Sequence, residues 1–318
     1  MASIARSLLL SFSRNPRLAR FAYRHGNRLG IHRFIAGTTL DECVAVLRRL
    51  NERGFHANTT LLGEAVEDPA AAEKVKEAYA EILERLSREK LRCNVALKLS
   101  HLGLGISEDV AFGHMVELLT LARDLSRREG AVLPPAGHFI RMDMEESYYV
   151  DATLSIYRRL REKGFENVGI VLQAYLHRSP KDLKDLLPFQ PNVRIVKGAY
   201  MEPASVAYQD RKTIDKKYLE LVQMGLRNGC YVAAATHDDR LIQKIQEWTE
   251  NEGIGRDRFE FQMLYGIRPS LQEGVLAQGY KVLVATPFGK DWYPYFMRRL
   301  AERPANVSLV WRSWIGRG

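Results

Sequence analysis

The sequence contains only three cysteines, Cys43, Cys93 and Cys230, and no two of them form a CxxC pair. Their wide spacing argues against a disulfide framework and against a structural zinc site. Reduced thiols of this kind indicate a cytosolic-type compartment. The sequence also lacks any apolar run near the roughly 18 residues that a membrane-spanning helix requires, so no spanning segment is predicted.

Acidic residues are absent from the first 40 residues, which contain seven arginines and so carry most of the formal net charge of +9. Three interpretations stay open: a mitochondrial transit peptide, although no cleavage point is evident; a basic amphipathic segment that contacts an anionic membrane surface; and helices packed outside the domain. A nucleic-acid partner is not predicted, because the remainder is nearly neutral and has no base-reading or single-strand motif.

Short β-rich runs alternate with segments of helical period from residue 55 onwards. Most of these runs are dense in Val, Ile, Leu and Ala, which is typical of parallel strands covered on both faces. The eight predicted strands span 55–62, 94–100, 138–143, 168–173, 193–198, 231–236, 259–264 and 281–286. The helices predicted to follow them span 69–90, 109–130, 147–164, 179–187, 213–229, 238–252, 269–279 and 291–303.

Eight successive βα units predict an α/β fold of the closed (β/α)8 TIM-barrel type. A doubly wound sheet is the alternative, but no predicted strand is followed by a GxGxxG motif. We expect one barrel domain over residues 55–318, with residues 1–54 as a helical segment packed on it. In such a barrel the active site lies at the C-terminal ends of the strands.

The last predicted helix carries a pattern suited to binding a small amino acid. Tyr295, Arg298, Arg299 and Glu302 lie at i, i+3, i+4 and i+7, so all four can share one face. Two arginines offer paired donors to a carboxylate, and the glutamate can hold one of them or accept from an ammonium group. A solvated helix face with ordinary ion pairs has the same pattern, so the pattern alone does not define a site.

Seven charged or amide residues interrupt the apolar strand runs themselves. Burying each of them costs several kcal/mol unless it is paired or bound to a ligand. A satisfied internal ion pair explains any one of them, but it explains the whole set poorly. They are Lys98, Arg141, Gln173, Arg194, Lys197, Glu260 and Gln262.

Seven motifs, in order along the chain, resemble those of proline dehydrogenase, the flavin-dependent barrel enzyme of proline catabolism. They are LKLS, RMDMEES, VLQAYL, RIVKGAY, ATHD, FEFQMLYG and WYPYFMRRLAERPAN, and they cover essentially residues 55–310. The chain is nearest in length to the monofunctional bacterial form. The resemblance implies an oxidoreductase that binds FAD, oxidises L-proline to 1-pyrroline-5-carboxylate on the route to glutamate, and passes the electrons to a quinone.

The resemblance also implies roles for residues around the substrate. Asp143 and Arg194 would be catalytic: Asp143 lines the substrate pocket and Arg194 hydrogen-bonds the flavin N5. Glu64 would gate the pocket by pairing with an arginine of the last helix. The substrate would be bound by Lys98, Tyr200, Leu264, Arg298, Arg299 and Glu302, with the cations on its carboxylate and Glu302 at its ring nitrogen.

The same resemblance assigns a group of residues to the flavin. Lys197, Thr236 and His237 would serve the polar and phosphate end of the cofactor, and no metal is expected. The complete FAD-binding set implied is Met144, Gln173, Arg194, Val196, Lys197, Gly198, Ala199, Thr236 and His237.

One position departs from the family pattern. Proline-specific members resemble one another in carrying a tyrosine where this chain has Ala285, and relatives that act on hydroxyproline carry a smaller residue there. A roomier pocket at Ala285 makes 4-hydroxyproline an alternative substrate.

Two alternatives of other classes stay open. A Schiff-base lyase or aldolase would use Lys98 or Lys197 as its nucleophile. A non-enzymatic surface binder would work through residues 1–40. For the flavoenzyme, the arginine-rich residues 1–40, here called the basic lead, would suit peripheral contact with the inner face of the membrane, where quinones reside.

Overall fold

The computed structural model describes residues 18, 20, 22, 23, 30–130 and 137–302, with side chains up to residue 299. Its centre is a closed barrel of eight parallel strands, in which each strand pairs with the next along the chain and the last pairs with the first. The predicted (β/α)8 barrel is confirmed. The strands are β1 (His56–Leu61), β2 (Cys93–Leu97), β3 (Ile140–Met142), β4 (Val168–Gln173), β5 (Asn192–Val196), β6 (Tyr231–Ala235), β7 (Phe259–Leu264) and β8 (Val282–Phe288).

A helix follows every strand, and helix α1 (Leu40–Glu52) precedes β1. None of the helices in the described part of the chain is both long and apolar enough to cross a membrane. The helices that follow the strands are α2 (Pro69–Arg88), α3 (Glu108–Arg128), α4 (Val150–Glu162), α5 (Ser179–Leu186), α6 (Arg211–Arg227), α7 (Asp239–Asn251), α8 (Pro269–Ala277) and α9 (Trp292–Glu302).

Several helices begin at a side chain that accepts a hydrogen bond from the backbone N–H three residues further on. Asp68, Ser107 and Asp210 do so at 2.8, 3.1 and 2.8 Å. Thr39 forms a full capping box with Glu42, whose carboxylate in turn accepts from the Thr39 N–H. These caps satisfy N–H groups that have no partner within the helix, so they fix where each helix starts after its loop.

Pro287 lies inside β8, one residue beyond the predicted end of this strand at residue 286. It is in register with Thr60 of β1, whereas the pairing with β7 ends at Ala285. Since Pro287 lies beyond the end of the β7 ladder, its missing N–H leaves no carbonyl of β7 without a donor. Its own carbonyl accepts from the Ala36 N–H at 2.8 Å, which ties the segment before α1 to the end of the barrel.

A second apolar cluster lies at the C-terminal end of the barrel, apart from the main core between the strands and their helices. It joins α9 to the segment before α1, with Leu62 and Leu264 packed against it. The helix that carries the predicted arginines is therefore seated over the barrel mouth by apolar contacts. The buried members are Ala22, Ile31, Phe34, Ile35, Ile267, Trp292, Tyr293, Tyr295, Phe296 and Met297.

Candidate active site

The side chains predicted for the site belong to the C-terminal ends of the strands, to the loops that follow them, or to α9. Arg194 lies within β5, and Gln173 and Leu264 are the last residues of β4 and β7. The barrel topology therefore places residues from eight separate stretches of sequence around one mouth. The residues in the loops after the strands are Glu64, Lys98, Asp143, Met144, Lys197, Gly198, Ala199, Tyr200, Thr236 and His237.

A partly buried ion pair between Arg194 and Asp143 lies in this mouth. The Arg194 Nη1 donates to the Asp143 Oδ1 at 2.7 Å, and the side chains are 11% and 27% exposed. Two further acceptors hold the same guanidinium. Its Nε donates a hydrogen bond to Gln262 Oε1 at 2.6 Å, and its Nη2 donates one to Asn58 Oδ1 at 3.3 Å. Arg194 is thus anchored from β1, β7 and the end of β3, and its orientation is set before any ligand binds.

The electrostatics at Arg194 reflect two opposing effects. Burial lowers the pKa of Arg194, while the nearby carboxylates of Asp143 and Glu260 oppose the shift. Because an arginine pKa starts far above neutrality, the guanidinium keeps its charge. The mouth therefore contains a fixed, partly desolvated cation that can stabilise negative charge on a bound group.

Helix α9 presents its two arginines to the same mouth. Arg298 and Arg299 are half-buried, and Arg299 lies 5.1 Å from the centroid of the buried Tyr295 ring. Arg298 Nη1 lies 3.8 Å from Glu64 Oε1, with the carboxylate side chain 59% exposed. Glu302 is in the last turn of α9, and its side chain is outside the described residues.

Lys98 and Tyr200 contribute further polar groups to the mouth. Lys98 is half-buried, and its ammonium group makes no ion pair with any of the described residues. Burial raises the pKa of Tyr200, with Glu145 and Glu146 adding to the shift and Arg298 opposing it, so the hydroxyl stays protonated. A cation without a carboxylate partner and a neutral phenol are each suited to binding an anionic ligand.

Lys197, at the end of β5, is shared between two carboxylates. Its Nζ lies 2.5 Å from Asp215 of α6 and 3.5 Å from Asp238, which caps α7. The sequence predicted that Lys197 serves the phosphate end of a flavin, and that role stays a prediction. These two carboxylates compensate its charge locally.

His237, in the loop after β6, is oriented by the backbone of β7. Its Nε2 accepts from the Leu264 N–H at 2.8 Å, so the neutral ring carries its proton on Nδ1. Arg268 donates to the His237 carbonyl at 2.9 Å, and Thr236 Oγ1 accepts from the Asp238 N–H at 3.1 Å. The β6 and β7 ends are therefore one hydrogen-bonded unit that joins the predicted substrate and cofactor residues.

The backbone after Lys197 approaches an aromatic ring closely. Gly198 has a φ of +115°, and a Cβ there would lie 2.1 Å from Tyr175 Cδ1. Val196 and Ala199 flank this stretch, half-buried and exposed respectively. Only glycine fits this conformation and this distance, so the loop is built around the absence of a side chain.

Met144 and Gln173 lie at the ends of β3 and β4, next to β5, and their side chains are buried. Gln173 Nε2 donates to the Glu145 carbonyl at 2.9 Å, and the Glu145 carboxylate accepts from the Ser100 N–H at 3.0 Å and its hydroxyl at 2.5 Å. Burial raises the pKa of Glu145, and the two Ser100 hydrogen bonds oppose the shift. These contacts hold the β2, β3 and β4 ends together.

Sequence reasoning missed one contributor, Asn58, and did not assign the contact of a second, Gln262. Asn58 belongs to a polar run, HANTTL, in which nothing marks it out, yet it is 2% exposed and contacts Arg194. Its Nδ2 has no hydrogen-bond partner among the described residues. Gln262 was noticed as a polar residue in an apolar run, but its contact with Arg194 depends on the register of β5, β6 and β7 and cannot be seen in the sequence.

A closed parallel barrel whose mouth gathers fixed cations, carboxylates and a covering helix defines the class of (β/α)8-barrel enzymes. The sequence model of the family described as proline dehydrogenase matches residues 43–312. Proline dehydrogenase 1 of Bacillus subtilis (strain 168) is 38% identical over 305 residues, which are 96% of this chain and 97% of the relative. Proline dehydrogenase of Deinococcus radiodurans is 39% identical over 306 residues, 96% of either chain. The chain therefore belongs to the proline dehydrogenase family of oxidoreductases.

Among solved structures, the chain is similar to proline utilization A (PutA) from Bdellovibrio bacteriovorus, with a TM-score of 0.77 and 24% identity. The match covers 85% of this chain and 32% of PutA, so the chain spans about a third of that larger protein. At this identity the likeness supports the barrel fold and nothing finer.

Proposed function

We propose that the protein is an FAD-dependent dehydrogenase that oxidises L-proline to 1-pyrroline-5-carboxylate and passes the electrons to a quinone. The observation that carries the proposal is the convergence of two sets at one barrel mouth: the cations predicted to bind a small carboxylate, and the fixed Arg194 predicted to contact a flavin. Membership of the family supports the substrate.

The residues present fit a flavin. The Asn58 Nδ2 donor is buried without a partner among the described residues, and Arg194 offers a fixed cation beside it. Gly198 lets the loop backbone pack against the Tyr175 ring, where a side chain would not fit. The cofactor would be held by Met144, Gln173, Arg194, Val196, Lys197, Gly198, Ala199, Thr236 and His237.

The flavin, when bound, would supply the hydride acceptor that amino-acid side chains lack. The chain itself positions the imino acid: Arg298, Arg299 and Lys98 bind its carboxylate, and Leu264 packs on its ring. Asp143 lines the pocket and, paired to Arg194, holds that cation in place. The role of Glu302 at the ring nitrogen rests on the sequence resemblance.

Glu64 and Arg298 are proposed to form the gate over the bound substrate. Their atoms are 3.8 Å apart and Glu64 is largely exposed, so the pair can open at little cost. Closure would exclude water from the mouth while the substrate carboxylate is held.

4-Hydroxyproline is the second candidate substrate, and Ala285 is the observation that favours it. Ala285 is half-buried and in register with Leu264 on one side and Asn58 on the other. A small side chain there leaves room beside the predicted ring contact. Matched assays of wild type and Ala285→Tyr with both imino acids test this candidate, which is abandoned if the ratio of their kcat/KM values does not change.

The spectrum of the purified protein tests the main proposal. We expect a bound oxidised flavin, or one taken up from added FAD, that bleaches anaerobically on addition of L-proline. A colourless protein that does not take up FAD overturns the proposal. Borohydride trapping with substrate separates the Schiff-base alternative, because only that chemistry leaves a stable adduct on Lys98 or Lys197.

We further propose a cytoplasmic location with peripheral membrane contact through the basic lead, and a division into a helical segment over residues 1–54 and a barrel over 55–318. The free buried cysteines and the packing of α1 against the main core support these two points. Removing residues 1–17 should reduce sedimentation with anionic vesicles while turnover with a soluble dye acceptor is kept.

A further inference from the structure

Two side chains of β7, Glu260 and Gln262, connect the floor of the barrel to Arg194. They are 2% and 4% exposed. Gln262 Nε2 donates to Glu260 Oε1 at 2.5 Å, and Gln262 Oε1 accepts from Arg194 Nε at 2.6 Å. An amide has one donor end and one acceptor end, so its contact with Glu260 decides which end faces Arg194.

Glu260 is itself held from below by donors. Its Oε2 accepts from the Tyr231 hydroxyl at 2.9 Å and lies 2.9 Å from Lys281 Nζ, which also donates to the Tyr231 oxygen at 3.1 Å. Burial acts to raise the pKa of Glu260, but Lys281 and the Gln262 hydrogen bond outweigh it and keep the pKa below its ordinary value. The carboxylate therefore offers one oxygen to the floor and the other to Gln262.

We propose that Gln262 and Glu260 are positioning residues for Arg194. Glu260 fixes the orientation of the Gln262 amide, and the Gln262 carbonyl oxygen fixes the plane of the guanidinium through its Nε. The inference rests on the proposed function, in which Arg194 contacts the flavin. The inference adds to the proposed site two residues that lie below the mouth. Glu260 acts only through Gln262, because it makes no hydrogen bond to Arg194 itself.

Glu260→Gln is the informative substitution, because it keeps the shape of the side chain and removes one acceptor. Lys281 has only donors, so the single oxygen of the new amide turns towards the floor and its NH2 group turns towards Gln262. The Gln262 amide must then reverse, which places its NH2 group against the Arg194 Nε–H. Two donors would face each other in a buried site, and Arg194 would lose that anchor.

The same hydrogen-bond argument predicts that a second substitution, Lys281→Met, restores the contact between Gln262 and Arg194. In Glu260→Gln combined with Lys281→Met, the Tyr231 hydroxyl oxygen no longer accepts a hydrogen bond from Lys281 and can accept one from the new amide. The amide oxygen at position 260 then faces Gln262 again, and Gln262 returns its carbonyl to Arg194. The double variant should be closer to wild type than the single one, which a simple loss of buried interactions cannot produce.

The experiment compares wild type, Glu260→Gln, Lys281→Met, the double variant and Arg194→Met as FAD-loaded proteins. The readouts are the flavin midpoint potential, the visible spectrum, the Kd of FAD for the apoprotein, and kcat separately from KM for L-proline. We expect Glu260→Gln to shift the potential in the same direction as Arg194→Met and to lower kcat about tenfold, as for other groups that orient a contacting residue. Lys281→Met removes the cation that keeps the Glu260 carboxylate charged and is the reference for the double variant, which should be closer to wild type than Glu260→Gln in potential and kcat.

Gln262→Met is the second route to the same test, since it removes the acceptor without adding a charge. Wild-type potential and kcat in both Glu260→Gln and Gln262→Met overturn the inference. So does a double variant that is worse than Glu260→Gln. Failure of the wild-type protein itself to take up FAD is a different result, because it refutes the proposed function before any variant is compared.

Discussion

Gly198 offers the sharpest test of the geometry around the predicted flavin site. The perturbation is Gly198→Ala. It places a Cβ on a residue with a φ of +115°, 2.1 Å from the Tyr175 ring. The backbone conformation alone costs about 1–3 kcal/mol for a residue with a side chain. Displacing a packed ring adds about 1–3 kcal/mol more.

The matched control is Gly164→Ala, at the end of α4. Gly164 has a φ of +80°, but a Cβ there would meet nothing within 4 Å. This variant should lose only the conformational cost of about 1–2 kcal/mol. Urea unfolding of the two apoproteins measures the difference in the free energy of unfolding, which we expect to be larger for Gly198→Ala.

The same pair of variants reports on cofactor binding. If the loop after β5 relaxes to relieve the clash, the strain appears as weaker FAD binding, and about 1.4 kcal/mol raises the Kd about tenfold. Gly164→Ala is remote from the mouth and should bind FAD as wild type does. Equal unfolding free energies together with equal Kd values for the two variants would refute the close approach of this loop to Tyr175.

Three further predictions follow from the site. Arg299→Met should raise the KM for L-proline about 10- to 100-fold with FAD retained, because a charged hydrogen bond contributes about 1.5–3 kcal/mol. Loss of flavin from this variant would contradict the assignment of Arg299 to the substrate. Glu64→Gln should leave the melting temperature unchanged, since an exposed pair contributes about 0–1 kcal/mol, while KM changes; a lower melting temperature with unchanged KM would assign Glu64 a structural role. Burial lowers the pKa of the 7%-exposed His101 to about 4, so its neutral form stabilises the fold above pH 6.5 and that stability is lost as pH falls towards 4. His101→Phe should remove up to about 3 kcal/mol of this pH dependence, and equal unfolding profiles for variant and wild type would contradict it.

The sequence was sufficient for the barrel because the pattern of a buried parallel strand is local. Runs rich in Val, Ile, Leu and Ala, separated by segments of helical period, define each βα unit without knowledge of its neighbours. Pro287 shows the limit of this reasoning. Whether a proline can lie in a strand depends on where the neighbouring strand ends, and that is a property of the register.

The candidate site could be predicted as a set of residues but not as a set of contacts. Arg194 stands out because a charge in an apolar run needs a partner, yet its side-chain partners come from β1, β7 and the loop after β3. Lys197 stands out for the same reason, but its contact with Asp215 joins β5 to the helix that follows it. Such pairings depend on how the barrel closes, which no single stretch of sequence specifies.

The barrel interior contains a column of polar side chains where apolar packing is common. Barrel interiors of this type are commonly filled by layers of branched apolar side chains, whereas here Arg194, Gln262, Glu260 and Lys281 form a connected polar column from mouth to floor. Buried polar networks add less stability than apolar packing of equal volume, and a half-satisfied network is worse than either. A chain that keeps every member satisfied and holds Arg194 at one end gains a fixed cation where charge must be stabilised. This makes the column more consistent with a functional constraint than with a structural one, because an apolar interior would serve the fold alone at least as well.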